Sequence, residues 1–205
     1  MAAADESSPA DPDVAETVLA FVNTRADAGG RVEQLGTGAD FADWANDRGL
    51  LSANSFVTDA DAATARDLRT ALLTIMLTHA GDPELDAEQI AAAEAYLSAA
   101  GSRYPLTATV TRHGARLTSP SSGVPGTLGT VLAAVAEAAQ SGDWLRVKAC
   151  CNQPCQNGFV DRTRNRAGRY CNPGCGSQAS MRAFRERQRH TATEPPTATE
   201  AATGH

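Results

Sequence analysis

The sequence predicts a mainly α domain of the α+β kind with a short β-hairpin, followed by a small cysteine-rich C-terminal module with a basic helix. Three observations carry that expectation. Apolar residues recur at spacings of three and four over most of residues 14–142, alternation replaces that spacing between Leu106 and Leu117, and all five cysteines of the 205-residue chain fall between Cys150 and Cys175.

Taken in order, "DVAETVLAFVNTRADAG" sets Val14, Val18, Phe21 and Val22 at helical spacing and stops at Gly29-Gly30. "ADFADWANDRGLL" places Phe41, Trp44 and Ala45 on one face, with Gly49 to end a short second helix. The segment from Thr58 repeats Ala65, Leu68, Leu72, Ile75 or Met76 and His79, and predicts the longest core helix, with Thr58 or Asp59 as its N-cap. A fourth helix, "DAEQIAAAEAYLSAAG", ends at Gly101. Threonines then alternate with Leu106, Ala108 and Val110, predicting two short strands joined at His113-Gly114. Helical spacing returns with Leu128, Val131, Leu132 and Val135 and stops at Gly142. This body, 14–142, is expected to close its own core. Residues 1–13 and 191–205, rich in Ala, Pro, Thr and acids, offer no apolar periodicity and are expected to be disordered. Asn23, Arg25, His79 and His113 are read as hydrogen-bonded or solvated groups; no nucleophile, base and oxyanion donor fall into a catalytic pattern, so no enzyme is expected.

Charge divides the chain. Ten Lys and Arg against two acids give the stretch 144–189 a net +8, while the remainder carries −14 within a total of −6. Nine of those ten are arginines, whose planar fork suits phosphates and guanine edges. No run approaches the roughly 20 apolar residues of a membrane span, and the acidic start lacks the pattern of a signal peptide. A cytoplasmic location, away from membranes, is therefore expected, and in a reducing compartment clustered cysteines are more often metal ligands than disulfides.

The cysteine spacing is that of a metal site: Cys150-x4-Cys155, then Cys171-x3-Cys175, each pair enclosing turn residues (Asn152, Gln153 and Pro154; Asn172, Pro173 and Gly174). Structural Zn2+ takes four thiolates tetrahedrally, and no general base accompanies this set, so a structural zinc-finger module over 143–190 is predicted. Spacing does not choose between Cys150 and Cys151, which would serve equally in Cys151-x3-Cys155. Past Cys175 the chain predicts a helix capped by Ser177, with Met181 and Phe184 packed toward the metal and Arg182, Arg185 and Arg189 sharing one face at i, i+3 and i+7. Loop residues Arg162, Arg164, Arg166 and Arg169 are expected to extend the same positive surface, with Asp161 ordering the loop.

"CCNQPCQNGFVDRTRNRAGRYCNPGCGSQASMRAFR" resembles the CGNR-type zinc finger of bacterial transcription regulators. The resemblance implies Cys150, Cys155, Cys171 and Cys175 as the ligands, with Phe159, Asp161, Arg162, Thr163, Arg164, Asn165, Arg169 and Tyr170 matching the intervening pattern. Gly176 is kept, whereas Ser177 and Gln178 stand where the family has Asn and Arg. "FVNTRADAGG", "DFADWANDRGLL" and the long alanine-leucine helix are similar to the ABATE-type domain that precedes this finger in stress-related regulators. The two resemblances together imply a transcription regulator; with the arginine surface read above, double-stranded DNA is the expected partner, met by Arg162, Arg164, Arg166, Arg169, Gln178, Arg182, Arg185 and Arg189. Its helical domain is then expected either to receive a signal, from a small-molecule effector or a protein partner, or to make a homodimer.

Overall fold

The computed structural model describes residues 14–193 except Ala28, Ala53, Asn54 and Pro154. Of the segments 1–13 and 191–205, expected to be disordered, residues 1–13 and 194–205 lie outside the described residues.

Helix α1 (Val14–Val22) ends sooner than its apolar spacing foretold. The Thr24 hydroxyl donates to the Phe21 carbonyl at 2.7 Å, and Asn23 turns its amide to another part of the chain, so the helix gives way to a turn. Helix α2 (Gly38–Asp47) and α3 (Asp59–Ala80) start at capping boxes, Thr37 with Asp40 and Thr58 with Asp61. Such caps stabilise a helix by about 1 kcal/mol each. Helix α3 stops at Gly81, which takes the left-handed φ of 68° that a side chain would resist. Helix α4 (Ala87–Arg103) runs through Gly101, the expected stop, for two more residues. Strands β1 (Thr107–Thr111) and β2 (Gly114–Thr118) pair antiparallel, and α5 (Gly123–Ser141) closes at Gly142.

Helix α3 is the axis of the core. Ala65, Leu68, Leu72 and Met76 are fully buried along it, and α1, α2, α4 and the next strand pack around it. Phe21 and Phe41 stack on Trp44 with ring centroids 5.6 and 6.2 Å away.

After a single 3-10 turn (Trp144–Arg146) come β3 (Val147–Ala149) and β4 (Gly158–Val160), a second antiparallel hairpin. It belongs to the same core: Val147 and Ala149 are fully buried among Leu72, Met76 and Val18. Val147 and Ala149 thus add to the core that residues 14–142 build. The last helix, α6 (Pro173–Thr193), extends into the stretch expected to be disordered. Among the described residues no helix is long and apolar enough to cross a membrane.

Candidate metal centre and basic helix

Strand β3 delivers Cys150 at its end, and the turn after it delivers Cys155. Asn152 shapes that turn, its carbonyl accepting the N–H groups of Cys155 at 2.8 Å and Gln156 at 3.1 Å. Cys171 and Cys175 flank the start of α6. Here Asn172 is the N-cap, its Oδ1 accepting the Cys175 N–H at 2.9 Å, and Pro173 occupies the first helical position, where a missing N–H costs nothing. The helix thus begins four residues before the expected cap; Ser177 lies inside it and donates to the Pro173 carbonyl at 3.1 Å. The Asn-Pro pair, read in the sequence as a turn between two ligands, is also a helix start.

The sulfurs of Cys150, Cys155, Cys171 and Cys175 all lie within 4.8 Å of one another. Cys155 and Cys171 are 3.6 Å apart and Cys171 and Cys175 3.8 Å. A tetrahedron of thiolates at the usual zinc–sulfur bond length of about 2.3 Å has edges of about 3.8 Å, so the donor set fits Zn2+. Its electrostatics point the same way. Burial pushes the Cys150 thiol up to about 11, and burial together with the surrounding sulfurs pushes Cys171 higher still. Burial also works against the Cys175 thiolate, but the Asn152 amide and the neighbouring sulfurs outweigh it and bring that thiol below its ordinary value. Four thiolates crowded at this distance require a cation to hold their charge. Cys151 lies elsewhere: its N–H donates to the Arg169 carbonyl at 2.9 Å and its sulfur sits 3.8 Å from the Ala80 carbonyl.

The module is fastened to the helical body by residues the sequence left unremarkable. Asn23 exchanges two hydrogen bonds with the Gly158 backbone, at 2.7 and 3.1 Å, as a neighbouring strand would. Arg31 donates to Asn157 Oδ1 at 2.7 Å, to the Cys155 carbonyl at 3.1 Å and to Asn23 Oδ1 at 3.2 Å, with Asp27 steadying it at 2.8 Å. Arg25 bonds Gln156, and His79 Nδ1 meets the Val147 carbonyl at 2.9 Å with its ring edge-on to Trp144. Burial drives the His79 imidazole below its usual range, which favours the neutral ring. His113 stays exposed at the β1–β2 turn, 2.7 Å from Arg112 Nε. No signal in the sequence marks Arg31; its partners Cys155 and Asn157 lie more than a hundred residues away.

Asp161 organises the loop that follows β4. Its carboxylate accepts from the Thr163 N–H and hydroxyl at 2.9 and 2.6 Å, from the Gly168 N–H at 2.8 Å and from Lys148 Nζ at 2.8 Å. Burial alone would raise this carboxyl; those donors hold it well below the ordinary carboxylate range. Arg162, Arg164 and Arg166 are exposed on this loop. Arg162 lines a groove with Glu16, Asn23, Gln34 and Arg48, so the structure places it against α1. Arg169 donates to the Gly81 carbonyl at 3.2 Å.

On α6, Gln178, Arg182, Arg185 and Arg189 line one groove together with Met181 and Glu186. Two of these are tied to the metal turn. Asn152, itself 1% exposed, donates from Nδ2 to Gln178 Oε1 at 2.9 Å and accepts from Arg182 at 3.0 Å. Met181 and Phe184 do not pack on the metal as expected; they are 57% and 55% exposed, and the half-buried Ala179 and Ala183 lie on the inner side. The four clustered sulfurs stand where an apolar core would otherwise be.

The CGNR zinc finger family matches residues 146–188. A family described as "ABATE: Putative stress-induced transcription regulator" matches residues 15–147. A search of curated proteins gives no match. With the two matches in that order along the chain, and the four sulfurs clustered inside the second, the protein belongs to the ABATE family and carries a CGNR zinc finger after that domain.

Proposed function

We propose that this protein is a DNA-binding transcription regulator of the cytoplasm in which Cys150, Cys155, Cys171 and Cys175 hold one structural Zn2+ and α6 is the element presented to double-stranded DNA. The observation that carries the reading is the exposed α6 groove lined by Gln178, Arg182, Arg185 and Arg189, on a helix whose first turn contains a zinc ligand. Zinc supplies a cross-link between the β3–β4 turn and the start of α6 and no open coordination position, so its part is structural. Arginines on one helix face meet phosphates as charges and guanine edges as bidentate donors. The loop residues Arg162, Arg164 and Arg166 add positive charge beside the body, and Arg169 positions the segment that leads to Cys171. The acidic helical domain, repelled by a phosphate backbone, is the part that receives a small-molecule effector or a protein partner.

The test is a titration of zinc-loaded full-length protein against duplex DNA, single-stranded RNA and an acidic peptide at several salt concentrations. Duplex binding that weakens steeply with salt supports the reading. If about five phosphates are neutralised, log K falls against log salt with a slope near −4.5. Absence of duplex binding at low salt, or preference for RNA or for the peptide, would overturn it.

A further inference from the structure

One edge of the β1–β2 hairpin is covered and the other is open. The two strands form a sheet by themselves, with Ala108 opposite Leu117, Thr109 opposite Arg116 and Val110 opposite Ala115. The Leu117 N–H donates to Glu137 Oε1 of α5 at 3.4 Å, and α5 packs along β2. Leu117 therefore directs its backbone away from β1, which makes Ala108–Leu117 a non-hydrogen-bonded pair; by alternation Val110–Ala115 is another. It follows that Ala108 and Val110 point their N–H and C=O groups outward from the far side of β1. Among the described residues nothing takes them.

Natural sheets protect such an edge with a charge, a proline or a bulge. Strand β1 reads T-A-T-V-T and has none of these, and every one of its side chains is exposed, Val110 by 76%. The strand is also close to a palindrome about Thr109. Laid antiparallel on a copy of itself, it sets Thr109 opposite Thr109, Thr107 opposite Thr111 and Ala108 opposite Val110. The outward groups of Ala108 then meet those of Val110 as a reciprocal hydrogen-bonded pair, and Thr109, whose backbone bonds inward to Arg116, falls in the non-bonded position that the alternation demands. No charge faces a like charge within the strand.

We propose that β1 is a self-association edge whose partner is β1 of a second copy of this chain, paired antiparallel about a twofold axis at Thr109. The product is a continuous sheet in the order β2, β1, β1, β2, with an α5 on each flank. A five-residue edge buries less than the roughly 1,200 Å² of a standard interface, so the dimer is weak and reversible. The inference does not rest on DNA binding, although two copies would present two basic helices together.

Sedimentation velocity of zinc-loaded full-length protein, from about 1 μM to about 1 mM, tests it. A concentration-dependent monomer–dimer equilibrium is expected. Thr109→Lys and Thr109→Glu each place like charges directly opposite at the twofold and should weaken the dimer at least about fivefold, whereas an equimolar mixture of the two should restore association. Val110→Pro removes an outward N–H and no bond to β2, and should weaken the dimer likewise. Helical circular dichroism unchanged in all three variants shows that they fold. A protein that remains monomeric over the whole range, or a dimer indifferent to these substitutions, would overturn the proposal.

Discussion

Lys148 Nζ and Asp161 Oδ2 meet at 2.8 Å with only 2% and 1% of their side chains exposed, inside the module that bears the exposed arginines. Lys148 also donates to the carbonyls of Arg166 and Gly168, at 2.5 and 3.1 Å, so one buried ammonium ties β3 to both ends of the arginine loop. Removing either partner leaves an uncompensated buried charge. Asp161→Ala should cost about 3–5 kcal/mol in denaturant unfolding of the zinc-loaded protein, and Lys148→Met should cost less than Asp161→Ala because it leaves an anion that still has Thr163 and Gly168 as donors.

The same pair fixes the sign of a pH dependence. Asp161 has a folded-state value depressed below the ordinary one, so its stabilisation is complete above about pH 4 and is lost as pH falls through the lower folded value. Acid unfolding of the wild type between about pH 4 and pH 2 should therefore be steeper than that of Asp161→Asn, which has no such proton to take up. Stability curves of the two proteins over that window check it.

A second close approach joins the module to the body. A Cβ at Gly158 would lie 2.7 Å from Val22 Cγ2, 3.0 Å from Leu19 and 3.1 Å from Met76. Gly158→Ala should destabilise the whole protein by about 1–3 kcal/mol through overpacking. A chain cut after Gly142 loses Val147 and Ala149 from the core, and should bind a hydrophobic dye and exchange the amides of α3 faster than full-length protein.

These couplings mark where the sequence was readable. The helices of the body were legible because each buries one stripe of a regular period, and the caps Thr58 and Gly142 stood at their ends. The four sulfurs were legible because two short turns must converge on one ion, although the choice of Cys150 over Cys151 needed the family resemblance. The β3–β4 hairpin was not: three-residue strands carry too little alternation to be seen, and Val147 and Ala149 look ordinary until α3 covers them. Nor does any local pattern reveal Arg31, or show that Asn152, legible as a turn residue, also holds Gln178 and Arg182. Met181 and Phe184 misled because apolar residues at helical spacing ordinarily face a core, and here sulfur takes its place.

Metal content gives a further test. Elemental analysis should find one zinc per chain, and Cys155→Ser, Cys171→Ser or Cys175→Ser should lose it. Cys150→Ser should do the same and Cys151→Ser should not, since the Cys151 sulfur faces the Ala80 carbonyl. Zinc retained by Cys150→Ser but lost by Cys151→Ser would reverse that assignment. Because the hairpin shares the body's core, chelation should also lower the melting temperature of the helical signal.

The last prediction separates the residues proposed to touch DNA from the one proposed to aim them. Arg185 and Arg189 share the α6 groove with Arg182, whereas Arg182 and Gln178 are both held by Asn152. Arg185→Ala should weaken duplex binding uniformly and reduce the salt slope by about one, the signature of a lost phosphate contact. Asn152→Leu removes no charge, so it should leave the salt slope nearly unchanged, keep the zinc, and still lower affinity by about fivefold or more, because two side chains of the face lose their fixed orientation. Gln178→Arg adds a charge and deprives Asn152 Nδ2 of its acceptor; it should strengthen binding or alter its sequence preference, with a salt slope steeper by about one. Binding isotherms at four or five salt concentrations, with zinc measured on each variant, check all three, and an Asn152→Leu protein that binds like wild type would show that the Asn152 side chain does not position the helix.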